Sequence, residues 1–392
     1  MESNVEVGAS KETKKRASKK RFHGCFSGIG CFEAAGDDPI DRGVEVGAEG
    51  NVGRPTPTHL VVMVNGIIGS SLDWRYAAKH LVKRFPEDLV VHCSARNTST
   101  LTLHGVDVMG ERLAKEVISV IERKPELQKI SFIGHSLGGL VARYAIGRLY
   151  GQTIKSEPPA ENGGAVRVES ETLSLEKESK GNIAGLEPMN FITFATPHLG
   201  SRGNKQVPLF CGVRMLEKAS SHISGILGKT GKHLLLNDHH EGRPPLLIQM
   251  VNDCGDLKFM SALQSFRRCV AYANAHFDHI VGWSTSSIRH KHELPKRKNF
   301  QKNDKYPHVM NVETSKPANI HQDILWEGKA KTVDMEGIMI RGLNRVGWER
   351  VDVSFRRSKQ RYLAHTTIQV KTYCLNSDGI DVVFHMIDNF LL

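Results

Sequence analysis

The stretch Gly134-His135-Ser136-Leu137-Gly138 constrains this chain more than any other, because of what stands on either side of it. Before it runs Lys129-Ile130-Ser131-Phe132-Ile133, a short strand-like stretch ending in apolar residues. After it, residues 139–150 carry Leu140, Val141, Tyr144, Ala145 and Leu149 at helical spacing. A serine caught between a strand and a helix, with glycine two residues away on each side, is the pattern of a nucleophile elbow. The glycines are needed because side chains in so tight a turn would collide with neighbouring backbone. The helix N-terminus points backbone N–H groups at the place where an oxyanion would form.

The rest of the chain supplies the scaffold that such an elbow needs. His59-Leu60-Val61-Val62-Met63-Val64 is a β-branched apolar run suited to a strand buried on both faces. A turn at Asn65-Gly66 leads to a predicted helix over 73–85, then a strand over 89–92. A long helix is predicted over 105–124, with Val106, Met109, Leu113, Val117, Val120 and Ile121 on one apolar face. Strands are expected again over 189–195, 268–273 and 348–355, with a last strand over 367–372 and a closing helix over 382–391. The βαβαβ rhythm predicts a doubly wound, mostly parallel sheet, and with the elbow it predicts the α/β-hydrolase fold.

Composition marks the boundaries. Residues 1–57 are rich in Gly, Lys, Glu and Ser and end in Pro55-Thr56-Pro57, which predicts a disordered basic tail ahead of one domain over 58–392. A Glu-, Lys-, Ser- and Gly-rich segment over 152–182 is expected to be a disordered insertion loop. Residues 199–266, with glycine-broken apolar stretches, are expected to form a helical cap inserted over the site. Leu246 to Val251, inside that stretch, is expected to be helical.

The formal net charge of +11 is uneven. Lys11, Lys14, Lys15, Arg16, Lys19, Lys20 and Arg21 crowd the tail, and Arg289, Lys291, Lys296, Arg297 and Lys298 form a second basic stretch. A solvated flank accounts for both on composition, while attraction to an anionic membrane is the sharper reading, helped by Phe22, Phe26 and Phe32. No nucleic-acid reader motif accompanies the charge, so nucleic acid is not an expected partner. The sequence sets no oligomeric state. No apolar run approaches a membrane span or a secretory signal. Seven scattered cysteines without a CxxC pair predict reduced thiols in an intracellular, cytoplasmic setting, and neither zinc nor any other cofactor is expected.

Serine is a poor nucleophile alone; it needs a base within hydrogen-bond reach and a carboxylate to set that base's tautomer. In α/β-hydrolases these follow in the order Ser, then Asp or Glu, then His. Asp278, in Phe277-Asp278-His279-Ile280-Val281 just past the 268–273 strand, is the favoured acid, with Asp253 and Asp256 as competitors. His365, in Leu363-Ala364-His365-Thr366, follows the 348–355 strand and is the favoured base. His385 falls in the terminal helix, His308 precedes the last core strand, and His135 is assigned a structural role inside the elbow. The oxyanion donors expected are the N–H of Leu137 and that of Ile67, in the loop Asn65-Gly66-Ile67-Ile68-Gly69-Ser70.

Taken together, the chain resembles the eukaryotic putative serine esterase family, a lipase-like group within the α/β-hydrolases. The residues that carry the resemblance are the 59–66 stretch, Gly134 to Gly139, Phe194-Ala195-Thr196-Pro197-His198-Leu199-Gly200, Tyr272-Ala273-Asn274 with Asp278, and Ala364-His365. The resemblance implies hydrolysis of acyl esters of the lipase or phospholipase type, and it supports Asp278 and His365 as partners of Ser136. It also implies contact with membranes or lipid droplets, which adds weight to the basic tail. Many members carry His-Gly after the first strand, where this chain has Asn65-Gly66. The expected activity is therefore a serine hydrolase acting on a lipid ester. An acyltransferase or thioesterase would use the same three residues, and a non-catalytic binding protein on the same fold is the alternative from a different class.

Overall fold

The computed structural model describes residues 56–153, 181–201, 227–240, 242–301, 303–318 and 334–392, together with the backbone of two short strands nearer the start. Those two are β1 (Cys31–Phe32) and β2 (Val44–Val46). Seven more strands follow: β3 (His59–Val64), β4 (Leu89–Cys93), β5 (Lys129–His135), β6 (Glu187–Phe194), β7 (Arg268–Asn274), β8 (Val309–Thr314) and β9 (Trp348–Val353). The longer helices are α1 (Arg75–Arg84), α2 (Val106–Glu122), α3 (Leu137–Leu149), α4 (Phe259–Ser265), α5 (Met335–Leu343) and α6 (Ile380–Asp388).

All nine strands join one sheet in the order β1-β2-β4-β3-β5-β6-β7-β9-β8. The six from β4 to β9 pair in parallel, while β1, β2 and β8 run antiparallel at the two edges. With the elbow between β5 and α3, this is an α/β-hydrolase fold. Alternation along β3 explains how the sheet holds two layers. Leu60, Val62 and Val64 face a core shared with α2, α3, α4 and α5. Val61 and Met63 face a second core shared with α1 and α6. A strand apolar on both faces can only sit inside such a sandwich.

Register decides where function can sit. Val64 pairs with Gly134, His135 with Phe194, and Asn274 with Val353. The strands therefore end level, and the segments following β3, β5, β7 and β9 emerge along one edge. Those are the segments that carry Ile67, Ser136, Asp278 and His365.

The sequence expectations meet three corrections. Residues 367–372 do not form a strand. Ala364–Thr367 is a helical turn, and the chain doubles back through Val370 (φ 56°), with the Lys371 N–H on the Thr366 carbonyl at 3.1 Å. The outer side of β9 is already occupied by antiparallel β8, a strand the periodicity did not reveal. A tenth strand has no edge to join there, so the β-propensity of this threonine- and valine-containing segment is overridden. The second basic stretch is not a uniform charged surface either. Arg289 is buried, with Nη1 on Asp352 at 2.8 Å and Nη2 on Glu313 at 2.9 Å.

The domain expectations meet the structure unevenly. Of residues 1–57, β1 and β2 extend the sheet, and nearly all the others lie outside the described residues, including the N-terminal lysine and arginine cluster. Most of the 152–182 insertion also lies outside them. Its roots are pinned by Gly151 N–H to Asn182 O and Ala184 N–H to Leu149 O, both 2.9 Å. Of the expected cap over 199–266, residues 202–226 lie outside the described residues. In the described remainder, Leu247, Ile248 and α4 pack into the core beside α2 and α3.

Candidate active site

Ser136 sits at the bend with φ 53° and ψ −126°, a conformation costing a non-glycine residue about 1–3 kcal/mol. The bend survives because both glycines are obligatory. A Cβ on Gly134 would lie 2.6 Å from the Gly139 Cα, and one on Gly138 would overlap the Val64 carbonyl. The Ser136 N–H is held by the Phe194 carbonyl at 2.8 Å, and Leu137 opens α3. Other residues on the same edge share the strain, since Ile68 (φ 51°), Phe277 (60°) and Val370 (56°) are also left-handed. β-branched residues rarely adopt this conformation, and such strain collects where surrounding structure enforces a geometry.

The structure brings Ser136, Asp278 and His365 together. His365 Nε2 lies 3.0 Å from Ser136 Oγ, and His365 Nδ1 lies 3.0 Å from Asp278 Oδ2. Asp278 is held in turn: its Oδ1 accepts from the N–H groups of Ile280 (3.0 Å) and Val281 (2.8 Å), and its Oδ2 accepts from Asn274 Nδ2 (2.9 Å). Burial alone would push the Asp278 carboxyl upward. The charge and hydrogen bond of His365, with those from Val281 and Asn274, outweigh it and hold the group below the usual carboxylate range. A carboxylate that stays charged beside Nδ1 fixes the tautomer that leaves Nε2 free to accept a proton.

The competitors are elsewhere. Asp253 accepts from the N–H groups of Met260 and Ser261 at the start of α4, and Asp256 is exposed. His308 pairs with Asp381 at 2.9 Å, and His385 bonds the Tyr272 hydroxyl at 2.8 Å. His135 is structural but closer to the chemistry than its place in the elbow suggested. Its Nε2–H donates to the His365 carbonyl at 2.7 Å, and burial pushes its imidazole far below the usual range, so it stays neutral.

Asn65 and Asn274 are the ordering residues that spacing did not reveal. Asn65 Nδ2 donates to the carbonyls of Gly66 (3.1 Å) and Asn97 (3.0 Å), which ties down the loop that carries Ile67. The same loop is braced by Ile68 N–H to Thr102 Oγ1 and by Ser99 N–H to Gly69 O, both 2.9 Å. Thr230, from the described part of the expected cap, donates to the Thr102 carbonyl at 2.7 Å and so braces the loop from outside. Asn274 Nδ2 also donates to the Ala364 carbonyl at 3.2 Å and thereby links the acid to the base loop. The apt signal for Asn274 was its place at the end of a core strand, four residues before the acid.

A cavity of about 250 Å³ opens on this cluster, lined by Gly66, Ile67, Ile68, His135, Ser136 and Ile280, and by Asp73, His365, Thr366 and Lys371. Lys371 Nζ meets Asp73 Oδ2 at 3.0 Å across it. Among the described residues no cluster of His, Cys, Asp and Glu has the arrangement of a metal site.

Residues 54–288, more than half of the chain, match the family described as Putative serine esterase (DUF676). That stretch contains Ser136 and Asp278 and ends before His365. The chain is 31% identical over 235 residues to Putative lipase ROG1 of Saccharomyces cerevisiae, and 29% identical over 240 residues to a putative lipase of Schizosaccharomyces pombe. Each alignment covers 59% of this chain but only 28% and 26% of the relative, so the chain spans under a third of the length of these two curated relatives. A phosphonate-inhibited esterase B from Lactobacillus rhamnosis matches over 91% of this chain and 82% of its own, with TM-score 0.43 and 9% identity. The fold assignment rests on strand order and not on that likeness.

Proposed function

We propose, from the premise that the chain belongs to the putative serine esterase family, that it hydrolyses carboxylic esters of lipids through an acyl-enzyme on Ser136. The observation that carries this is the unbroken hydrogen-bonded line from Asp278 through His365 to Ser136, with 3.0 Å at each step. Ser136 Oγ attacks the ester carbonyl while His365 Nε2 takes its proton. Asp278 holds the imidazole and stabilises the imidazolium. The N–H groups of Leu137 and Ile67 receive the oxyanion; removing one such donor typically costs on the order of 3 kcal/mol. His365 returns the proton to the leaving alcohol, and water, activated by the same imidazole, then releases the acid. None of these steps calls on a metal or an organic cofactor. A lipid ester is favoured by the relatives named putative lipases and by Ile67, Ile68 and Ile280 in the cavity wall.

Labelling with a fluorophosphonate probe tests the proposal. Wild-type protein should be labelled and should release fatty acid from a short-chain glyceride, and Ser136→Ala should do neither. Labelling that persists in Ser136→Ala would remove the nucleophile assignment.

A further inference from the structure

Of the large apolar side chains exposed among the described residues, Val108, Val312, Leu391 and Leu392 lie apart, and the other six are gathered together. Ile68, Leu72, Tyr362, Leu363, Tyr373 and Leu375 are each 46–65% exposed, and all six lie on two segments, 66–74 and 361–375. Both segments line the cavity, the first through Ile68 and Asp73, the second through Thr366 and Lys371. Contacts tie the exposed groups to its rim. Leu72 precedes the Asp73 that bridges to Lys371. Asn376 Nδ2 holds the turn that carries Tyr373 and Leu375 to Thr366 Oγ1 at 3.1 Å. Tyr362 meets the ring of Phe277, the neighbour of Asp278, at 5.6 Å. Isolated exposed apolar residues need no explanation, but a group gathered round one opening marks a contact surface.

The charge of this rim says what it contacts. From 356 to 375 the chain has five cations, Arg356, Arg357, Lys359, Arg361 and Lys371, and no Asp or Glu; the one acid of 66–74, Asp73, pairs with Lys371, so the rim as a whole stays cationic through the other four. Arg361 lies over the rings of Tyr362 and Phe277 at 4.8 and 5.7 Å, which places charge beside the exposed aromatics. Apolar tips that can enter acyl chains, interleaved with cations that meet lipid phosphates, suit an anionic bilayer face. We propose that the 66–74 and 361–375 segments dock the protein on an anionic lipid surface with the cavity facing it, independently of the basic N-terminal cluster. This deepens the hydrolase reading and rests on it for the purpose of the orientation: an ester would enter the cavity without crossing water.

Co-sedimentation of full-length Ser136→Ala protein with vesicles of phosphatidylcholine, and of equal parts phosphatidylcholine and phosphatidylserine, tests the docking. Stronger binding to the mixed vesicles, weakened by salt, is expected. Adding Leu363→Asp and Leu375→Asp should reduce it by at least about tenfold, since the lost insertion of each leucine is worth a sizeable part of its transfer energy. Deletion of residues 1–30 should leave most of it. In protein with Ser136 intact, Leu363→Asp with Leu375→Asp should leave turnover of a soluble short-chain ester unchanged while turnover of vesicle-borne ester falls. Wild-type-like vesicle binding by the leucine variant overturns the proposal, as does binding lost through the tail deletion alone. A leucine variant that changes the oligomeric state but not vesicle binding assigns the face to a second copy and also overturns it. Absence of soluble-ester turnover in every form, with vesicle binding still dependent on the leucines, would remove the hydrolase reading alone.

Discussion

The elbow and the base loop meet at two hydrogen bonds, Ser136 to the His365 ring at 3.0 Å and His135 to the His365 carbonyl at 2.7 Å, yet they are held in opposite ways. At the elbow the geometry is steric: two glycines pressed against backbone, one strained serine and the end of a buried strand leave the chain a single path. The base loop has no such rule. Its helical turn at Ala364–Thr367 is positioned by residues from distant parts of the chain, His135 on the His365 carbonyl and Asn274 on the Ala364 carbonyl. Steric necessity places Ser136, and side-chain hydrogen bonds place His365. The two regions should therefore respond differently to substitution.

The largest effect is expected at the elbow. Gly138→Ala places a Cβ against two backbone carbonyls, those of Val64 and Asn65, neither of which can rotate away. Overpacking of this kind costs about 1–3 kcal/mol where side chains can yield, and backbone neighbours put the expected cost at the upper end. The end of β3 must shift, and the Ile67 loop with it. Urea unfolding should show a loss of about 3 kcal/mol, and the fluorophosphonate labelling rate should fall with it. A variant with native stability and native labelling would mean that the elbow is not sterically determined.

The same contrast explains what was legible in the sequence. Strand, glycine, serine and helix spacing are short-range, so the elbow, β3, α2 and the parallel sheet could be read directly. Asp278 followed from its place after a core strand. The base loop misled the reading, because Thr366, Thr367, Ile368 and Val370 have the composition of a strand. Whether such a segment pairs depends on a free sheet edge, and β8, far upstream at Val309–Thr314, removes that edge. Polarity in β8 hid it as well, since Val312 and its neighbours towards Thr314 face solvent and leave no alternating pattern. Asn274 and His135 could be named as residues but not as braces, because their partners lie 90 and 230 positions away.

A smaller effect, dependent on pH, is expected where the two regions touch. His135 is buried and neutral, with a native pKa far below its unfolded value near 6.5. Below about pH 6.5 the unfolded chain binds a proton here that the native chain does not, so stability falls as pH falls. At pH 5 the deficit from one fully shifted histidine is about 2 kcal/mol, and above pH 7 it vanishes. His135→Gln keeps a donor for the His365 carbonyl and removes the titration. Its urea midpoint should fall less than that of the wild type between pH 7 and pH 5. Parallel pH profiles would show that His135 titrates freely and that its bond to the base loop is not buried. Asp278, with its depressed native pKa, adds loss of stability only in the more acidic range, below its unfolded value near 3.9.

The smallest effect concerns the ion pair that crosses the cavity. Lys371 belongs to the base loop and Asp73 to the segment that carries Ile67, so their 3.0 Å contact joins the two segments that the proposed acyl transfer needs in register. The Lys371 side chain is about one-third exposed, and solvent screening limits such a pair to about 1 kcal/mol or less. Asp73 is the more buried partner. Lys371→Met leaves a carboxylate largely cut off from water, whereas Asp73→Asn leaves a lysine that can turn outward, so the lysine substitution should be the more damaging. A double-mutant cycle on kcat for a soluble ester should give a coupling of roughly 0.5–1 kcal/mol, about two- to fivefold in rate, with KM little changed. Zero coupling would mean that the base loop needs only His135, Asn274 and Asp278 to keep its place. In that case the pair serves local stability, and the elbow and the base loop are joined solely through the hydrogen bonds on the inner side of the cavity.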